Sequence, residues 1–362
     1  MVRDLTGALM KLGVTNKIVG LGDRHSSSVT FPEKVVLSTN EEALIPRLGV
    51  PSTAGFSRIL LRAVWEADVV HIHEIWHFPQ VLSALAARAR GTPFVLTPHG
   101  ELKPWPFRQL RILKAIAWHT YQRRILAAAQ GLHVLTAEEK GSVSQMGITT
   151  RMRVIPNGVD IERIEQSLRA VTDSEKRGLD LQRPYILYVG RIAVGKGLNT
   201  LIDAFAAVSK LLPEYSLVII GPDRSGLWES LKARAERLGI GGRVIYLGFI
   251  DEPMKFLFLA NAALYVLPSI SEGLSISLLE ALACGTPVIA SEGCNVPEIE
   301  TSGAGRVVTP TETGLSRELL ELLGDQRLIR SMGRNAKVLA KNQFSIDRMA
   351  RDILDFYREL LR

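Results

Sequence analysis

The sequence predicts an α/β protein built as two doubly wound domains with parallel sheets. Three observations carry this. Short apolar runs alternate with amphipathic stretches almost throughout, the pattern of strands joined by crossover helices. The 362 residues are enough for two full cores. A turn signal, Pro156-Asn-Gly-Val-Asp160, separates two halves of similar organisation. The expected division is a domain over 1–160 and a second over 161–344. A long helix over 345–362, with Met349, Ile353, Phe356, Tyr357 and Leu360 on one side, crosses back to brace the first domain.

The elements are read in order. Val2 to Leu12 has Leu5, Ala8, Leu9 and Leu12 at helical spacing and Gly13 as its stop. A doubly wound domain ordinarily opens with a strand and a Gly-rich turn ahead of that helix. Neither precedes Val2, so the first domain is expected to lack its first strand, the chain to begin one element late, and its activity to be low. Strands are expected at Lys17–Leu21, Lys34–Ser38, Val69–His73, Phe94–Thr97, Leu132–Thr136 and Arg153–Ile155. In the second half they fall at Tyr185–Val189, Leu217–Ile220, Val244–Leu247, Leu264–Leu267, Val288–Ala290 and Arg306–Val308. Ligands of such domains sit at the carboxyl ends of the strands.

Composition narrows the class. No apolar run reaches membrane-spanning length, and Met1-Val-Arg-Asp leads directly into an amphipathic helix instead of a secretory leader. Two cysteines, Cys284 and Cys294, are too few for a disulfide framework, and a reducing cytoplasm is expected. Residues 1–160 hold 19 Lys and Arg against 12 Asp and Glu, and the remainder 25 against 25. The whole surplus of +7 therefore lies in the first half. It points to an anionic partner there, a membrane surface or a charged lipid carrier, and not to nucleic acid, since no nucleic-acid module is recognisable.

The stretch Ser269–Pro287 organises the second half. A helix with Ile276, Leu279 and Leu282 at helical spacing lies between two apolar strands, with Gly285 as its stop. The first amides of a helix lack internal partners, so the turn before it is an anion site. Glu272 and Glu280 bracket that site, and carboxylates there suit hydroxyls; the pocket reads as one for a phosphate flanked by sugars. A second stretch, Tyr185 to Gly197, ends a strand at Gly190 and places Arg191 and Lys196 on the following loop. Two cations beside glycines that permit close backbone approach suit a diphosphate. The Walker A order is absent.

The first half offers weaker candidates. Thr97-Pro-His-Gly100 ends a strand and aims His99 at a cleft. His71-Ile-His-Glu-Ile-Trp-His77 has the look of a metal cluster, but zinc-like spacing is missing; His73 and Trp76 read instead as strand-end residues that face a cleft or simply pack. From Leu102 to Ala137 there is no acid, while Lys103, Arg108, Arg111, Lys114, Arg123 and Arg124 all fall within it. A basic amphipathic helix over 107–130 is expected, with Arg108, Arg111, His119, Gln122 and Arg123 on one arc. Trp105 adds an aromatic at its edge. Such a helix docks on anionic lipid headgroups or presents a solvated face.

Taken together, Gly190-Arg-x4-Lys-Gly197, the Glu272-x7-Glu280 pair, Gly285-Thr-Pro-Val-Ile-Ala290, Pro156-Asn-Gly-Val-Asp160 and His99-Gly100 resemble retaining glycosyltransferases of family 4, over nearly the whole chain. The resemblance implies a GT-B fold, with two Rossmann-like domains facing an interdomain cleft. It implies a nucleotide-diphosphate sugar as donor, a glycan or lipid-linked acceptor, and no obligatory metal or other cofactor. Arg191 and Lys196 would hold the diphosphate, with Gly190 and Gly273 allowing close approach and the amides of Ser275, Ile276 and Ser277 adding to the anion site. Glu280 would bind the ribose, Glu272 the donor sugar, and His99 the sugar near the reacting carbon. Trp105 and Arg108 join His73 and Trp76 on the acceptor side. Cell-surface polysaccharide synthesis at the inner face of the membrane is the expected setting. A non-catalytic scaffold that binds a nucleotide sugar or a partner, and a nucleotide-sugar epimerase on the same fold, are the alternatives.

Overall fold

The computed structural model describes residues 1–22, 36–39, 43–45, 50–51, 54–108, 111–172 and 184–362. The chain divides into two compact units, one spanning Val2–Pro156 with Met349–Arg362, the other Asn157–Arg348.

The first unit opens with the helix Val2–Lys11, which buries Leu5, Ala8 and Leu9. A parallel pair follows, β1 (Val19–Gly22) with β2 (Val36–Thr39), then a short antiparallel pair, β3 (Ala43–Ile45) with β4 (Val50–Pro51). The sequence pattern has no counterpart for β3 and β4: runs of three and two residues are too short for a period-2 alternation to register. The main sheet is parallel, in the order β5 (Val70–His73), β6 (Phe94–Thr97), β7 (Gly131–Val134), β8 (Met152–Val154). Its strands read as continuous apolar runs because crossover helices cover a parallel sheet. Phe94, Leu96, Leu126, Leu132 and Val134 form the centre of this core. The terminal helix Ile346–Leu360 supplies Phe356, fully buried. A Cβ on Gly131 would lie 2.4 Å from the Phe356 ring, so only glycine lets that ring seat on β7.

The helix expected over 107–130 is described in two stretches. The first starts at Pro104, where the missing N–H costs nothing in the first helical turn, and covers Pro104–Arg108; the second is continuous from Arg111–Ala117 through a π-turn at Trp118–Gln122 to Arg123–Ala128. A π-turn admits an extra residue and shifts the helical phase. Gln122, expected on the basic arc, is accordingly buried beside Trp118, and Trp105 lies within the first segment.

The second unit is a six-stranded parallel sheet in the order β11-β10-β9-β12-β13-β14. In sequence these are β9 (Tyr185–Val189), β10 (Ser216–Ile220), β11 (Val244–Tyr246), β12 (Leu264–Leu267), β13 (Val288–Ser291) and β14 (Gly305–Val308). The chain winds outward from β9 in one direction through β11, then returns beside β9 and winds the other way. This is the dinucleotide-fold order, and the switch point falls between β9 and β12. Residues on both central strands are wholly buried, Tyr188 and Tyr265 among them.

Candidate functional site at the switch point of the second unit

The loops that leave β9 and β12 start side by side, and they carry the candidate residues of the second unit. The amide of Ile270 donates to the carbonyl of Gly195 at 2.8 Å, tying one loop to the other. Gly197 has φ 70° and a Cβ there would lie 2.1 Å from the Pro268 carbonyl oxygen. Gly221, at the end of β10 with φ 140°, approaches the Gly190 carbonyl so closely that a Cβ would sit 2.0 Å from its oxygen. Glycine at these places is what lets three strand ends converge.

Arg191 is exposed, its carbonyl held by the Tyr188 hydroxyl at 2.9 Å. Lys196 Nζ lies 2.5 Å from Glu272 Oε1, and Ser269 Oγ donates to the same oxygen at 2.6 Å. The helix Ile276–Cys284 begins at Ser275, whose hydroxyl caps it, and ends at Gly285 with φ 82°. Ser277 Oγ donates to the Val189 carbonyl at 2.8 Å, fastening this helix start to the end of β9. Its free amides therefore open beside Gly190 and Gly273, between Glu272 and Glu280.

Glu280 is buried, and its Oε1 accepts from Lys255 Nζ at 2.8 Å. Burial pushes the carboxyl upward and the neighbouring Lys255 opposes this. Lys255 and Ser269 are not singled out by the sequence: nothing in residue type at 25 and 3 positions from their partners distinguishes them from solvated neighbours. The Pro156–Asp160 motif supports the same cradle. Asn157 Nδ2 donates to the Leu274 carbonyl at 3.0 Å, Gly158 lies flat on the backbone of Ile346, and Asp160 caps the helix Ile161–Ala170.

In the first unit, His73 and His99 come together from the ends of β5 and β6, with Nδ1 of His73 2.9 Å from Nε2 of His99. His99 has φ 53° and Glu74, one strand over, φ 67°. Two left-handed residues without glycine's freedom mark backbone held against its preference, a feature of functional strand ends. Gly100 and Leu135 amides both donate to Glu139, and Ile75 donates to Glu101 at 3.0 Å, which locks these turns. Burial holds His99 and His133 down at about 4, and His71 and His73 well below the usual range, so all four rings are neutral. Both nitrogens of His71 are taken, by Tyr357 and Thr97, and among the described residues no group of three or more His, Cys, Asp or Glu side chains is placed to hold a metal ion. Trp76 lies 5.9 Å from Phe107 and 5.3 Å from Lys114 Nζ, its Nε1 buried without a hydrogen-bond partner. Trp105 is half-buried and Arg108 exposed.

Two α/β units of this topology, the second with a Ser275-capped helix start between two carboxylates at its switch point, define a glycosyltransferase of GT-B type. The family model described as Glycosyltransferase Family 4 matches residues 1–163, and that described as Glycosyl transferases group 1 matches 171–339. The chain belongs to this family. The D-inositol 3-phosphate glycosyltransferase of Salinispora tropica is 32% identical over 335 residues, covering 85% of this chain and 67% of its own. Among solved structures, sucrose-phosphate synthase of Thermosynechococcus elongatus superposes with a TM-score of 0.78 at 22% identity, over 99% of this chain and 92% of that one. Anabaena HepE, solved in complex with UDP and glucose, gives 0.74 at 20% identity over 95% and 100%.

Proposed function

We propose that the chain is a retaining transferase that moves a sugar from a nucleotide-diphosphate sugar to a glycan or lipid-linked acceptor, without an obligatory metal, in cell-surface polysaccharide synthesis. The observation that supports this is that the loops leaving β9 and β12 are tied together, with Ile270 N–H on the Gly195 carbonyl and Ser277 Oγ on the Val189 carbonyl, so that the loop carrying Arg191 and Lys196 adjoins the start of the helix Ile276–Cys284, and Glu272 and Glu280 are each paired with a lysine. The cations and amides neutralise the diphosphate as it leaves, the role a divalent ion plays elsewhere. Glu280, set by Lys255, takes the ribose hydroxyls; Glu272, set by Lys196 and Ser269, takes hydroxyls of the sugar. His99 is neutral and offers a hydrogen bond to the sugar, not a charge or a nucleophile. Retention then follows from same-face attack, with the leaving phosphate accepting the acceptor's proton.

The complex of HepE with UDP and glucose makes UDP-glucose the first donor to test. A thermal-shift series with UDP-, GDP- and ADP-sugars is expected to show one donor raising the transition, because a ligand bound only by the native state stabilises it. Turnover of that donor in EDTA, abolished by Lys196→Ala, completes the test; no stabilisation by any of them sinks the reading. Nucleotide release without a second sugar product argues against an epimerase, and stabilisation without turnover against an enzyme.

Placement at the cytoplasmic face of an anionic membrane belongs to the same proposal. Ile112, Leu113 and Ile116 share one side of the helix Arg111–Ala117 and are 77%, 61% and 56% exposed. Apolar residues at this spacing within an acid-free, arginine-rich stretch have the chemistry of an interfacial helix. Among the described residues no helix is long and apolar enough to cross a membrane. Sedimentation with phosphatidylglycerol vesicles is expected to carry the protein down, and phosphatidylcholine alone or the double variant Ile112→Asp/Ile116→Asp is expected not to. Equal sedimentation of the double variant removes this part.

A further inference from the structure

Four histidines of the first unit form a cluster, His71, His73 and His99 stacked and His133 edge-on to His71, that the proposed chemistry only partly uses. His133 Nε2 faces the Ile155 carbonyl at 2.8 Å, and a carbonyl only accepts, so Nε2 carries the proton. In a neutral ring Nδ1 then accepts, and its partner at 2.9 Å is the Thr97 hydroxyl. That spends the only proton of Thr97, whose oxygen must accept from His71 Nε2 at 2.7 Å. His71 Nδ1 is left to accept from the Tyr357 hydroxyl at 2.5 Å. The chain of bonds has one direction, from the terminal helix across β5, β6 and β7 to the carbonyl beyond β8. Each proton place follows from the network.

His71 therefore has a single tautomer and a fixed plane. His73 stacks on it, ring centres 4.3 Å apart and planes 24° from parallel. His73 in turn meets His99 Nε2 through its Nδ1. No described residue hydrogen-bonds Nδ1 of His99.

We propose that His73 is a positioning residue, which engages Nε2 of His99 and leaves Nδ1 as the ring atom that His99 presents to a ligand, while the Tyr357–His71–Thr97–His133 chain keeps His73 in place. This rests on the reading of His99 as a sugar contact only for its purpose, since the geometry itself is tested without donor. It moves His73 from the acceptor to the support of another side chain.

The test is 15N NMR of histidine-labelled full-length protein, with His99 assigned by His99→Gln. Wild type is expected to show His99 as one tautomer, with one nitrogen protonated and one bare. His73→Phe keeps the stack on His71 and removes the bond, and the two His99 nitrogens are expected to shift toward averaged values. His73→Asn, which donates or accepts from nearly the same point, is expected to restore the single form. Tyr357→Phe is expected to shift His71 Nδ1 and leave His77 and His119 unchanged, which also reports that the fold is intact. Unchanged His99 nitrogens in folded His73→Phe overturn the proposal. Failure of the sugar-transfer reading would appear separately, in the donor thermal-shift series.

Discussion

Lys255 Nζ lies 2.8 Å from Glu280 Oε1, on the helix Ile276–Cys284, and Lys196 Nζ lies 2.5 Å from Glu272, on the loop before that helix. Each carboxylate of the cradle thus has its own lysine. The two lysines serve different ends. Lys196 stands on the loop leaving β9, part of the proposed diphosphate site, whereas Lys255 reaches Glu280 and, at 3.3 Å, Glu252 from the first turn of the helix Met254–Asn261.

That difference makes Lys255 separable. Lys255→Met leaves Glu280 buried with an unpaired charge and should destabilise the protein by roughly 2–4 kcal/mol, whereas Lys255→Met/Glu280→Gln should recover part of this. Urea unfolding of both single variants and the double measures the coupling; strictly additive losses would show that the pair is not an energetic unit.

Lys196→Ala should lower turnover of the donor by ~10²–10³-fold, the usual weight of one donor to a developing negative charge. Lys196→Arg should recover little, because Glu272 and Ser269 fix a point charge and not a planar fork. Initial rates of nucleotide release decide it.

Gly197→Ala puts a methyl 2.1 Å from the Pro268 oxygen at a left-handed φ. A loss of about 2 kcal/mol or more is expected. Gly226→Ala, equally left-handed with nothing within 4 Å of its added carbon, should lose about 1 kcal/mol, the conformational part alone. Equal losses would falsify the steric account.

Burial, with Glu74 nearby, raises the Glu101 carboxyl to about 7, Lys114 opposing. Between the ordinary carboxylate value and 7 the native state holds the proton more tightly than the unfolded chain, so Glu101 makes stability fall as pH rises through this window. The four histidines act with the opposite sign, costing stability as pH falls below their unfolded value of ~6.5. Glu101→Gln should therefore raise the transition temperature at pH 8 and change it little at pH 5. Thermal scans at the two pH values check this; an equal change at both would remove the titration as the cause.

Much of this protein is legible in its sequence, and the reason is the parallel sheet. Buried on both faces, its strands stand out as apolar runs, so all six strands of the second unit and the four of the main sheet in the first fall within a few residues of their expected places. The cradle residues are legible because they lie on two short segments, where strand, glycine and charge appear in order. What is not legible arises from pairing across distance. Nothing near Lys255 announces Glu280, and nothing near Tyr357 announces His71, 286 residues away. The π-turn at Trp118–Gln122 escapes periodicity by breaking it, and with it went the assignment of Gln122 to the surface. The histidine run 71–77 misleads in a different way: the residues expected to share a face do so, but for one another.

The terminal helix has a consequence for how the chain is made. Phe356 fills the space over Gly131, and Tyr357 begins the hydrogen-bond chain through the first unit. During synthesis domains generally fold as they emerge, the N-terminal one first. Here residues 2–156 leave the ribosome with an open core and an undonated histidine, and wait while 157–348 is translated and closes its own sheet. The half begun first is finished last, so a nascent or prematurely stopped chain exposes its N-terminal half to chaperones and proteases, and no product that stops before residue 349 holds that half complete.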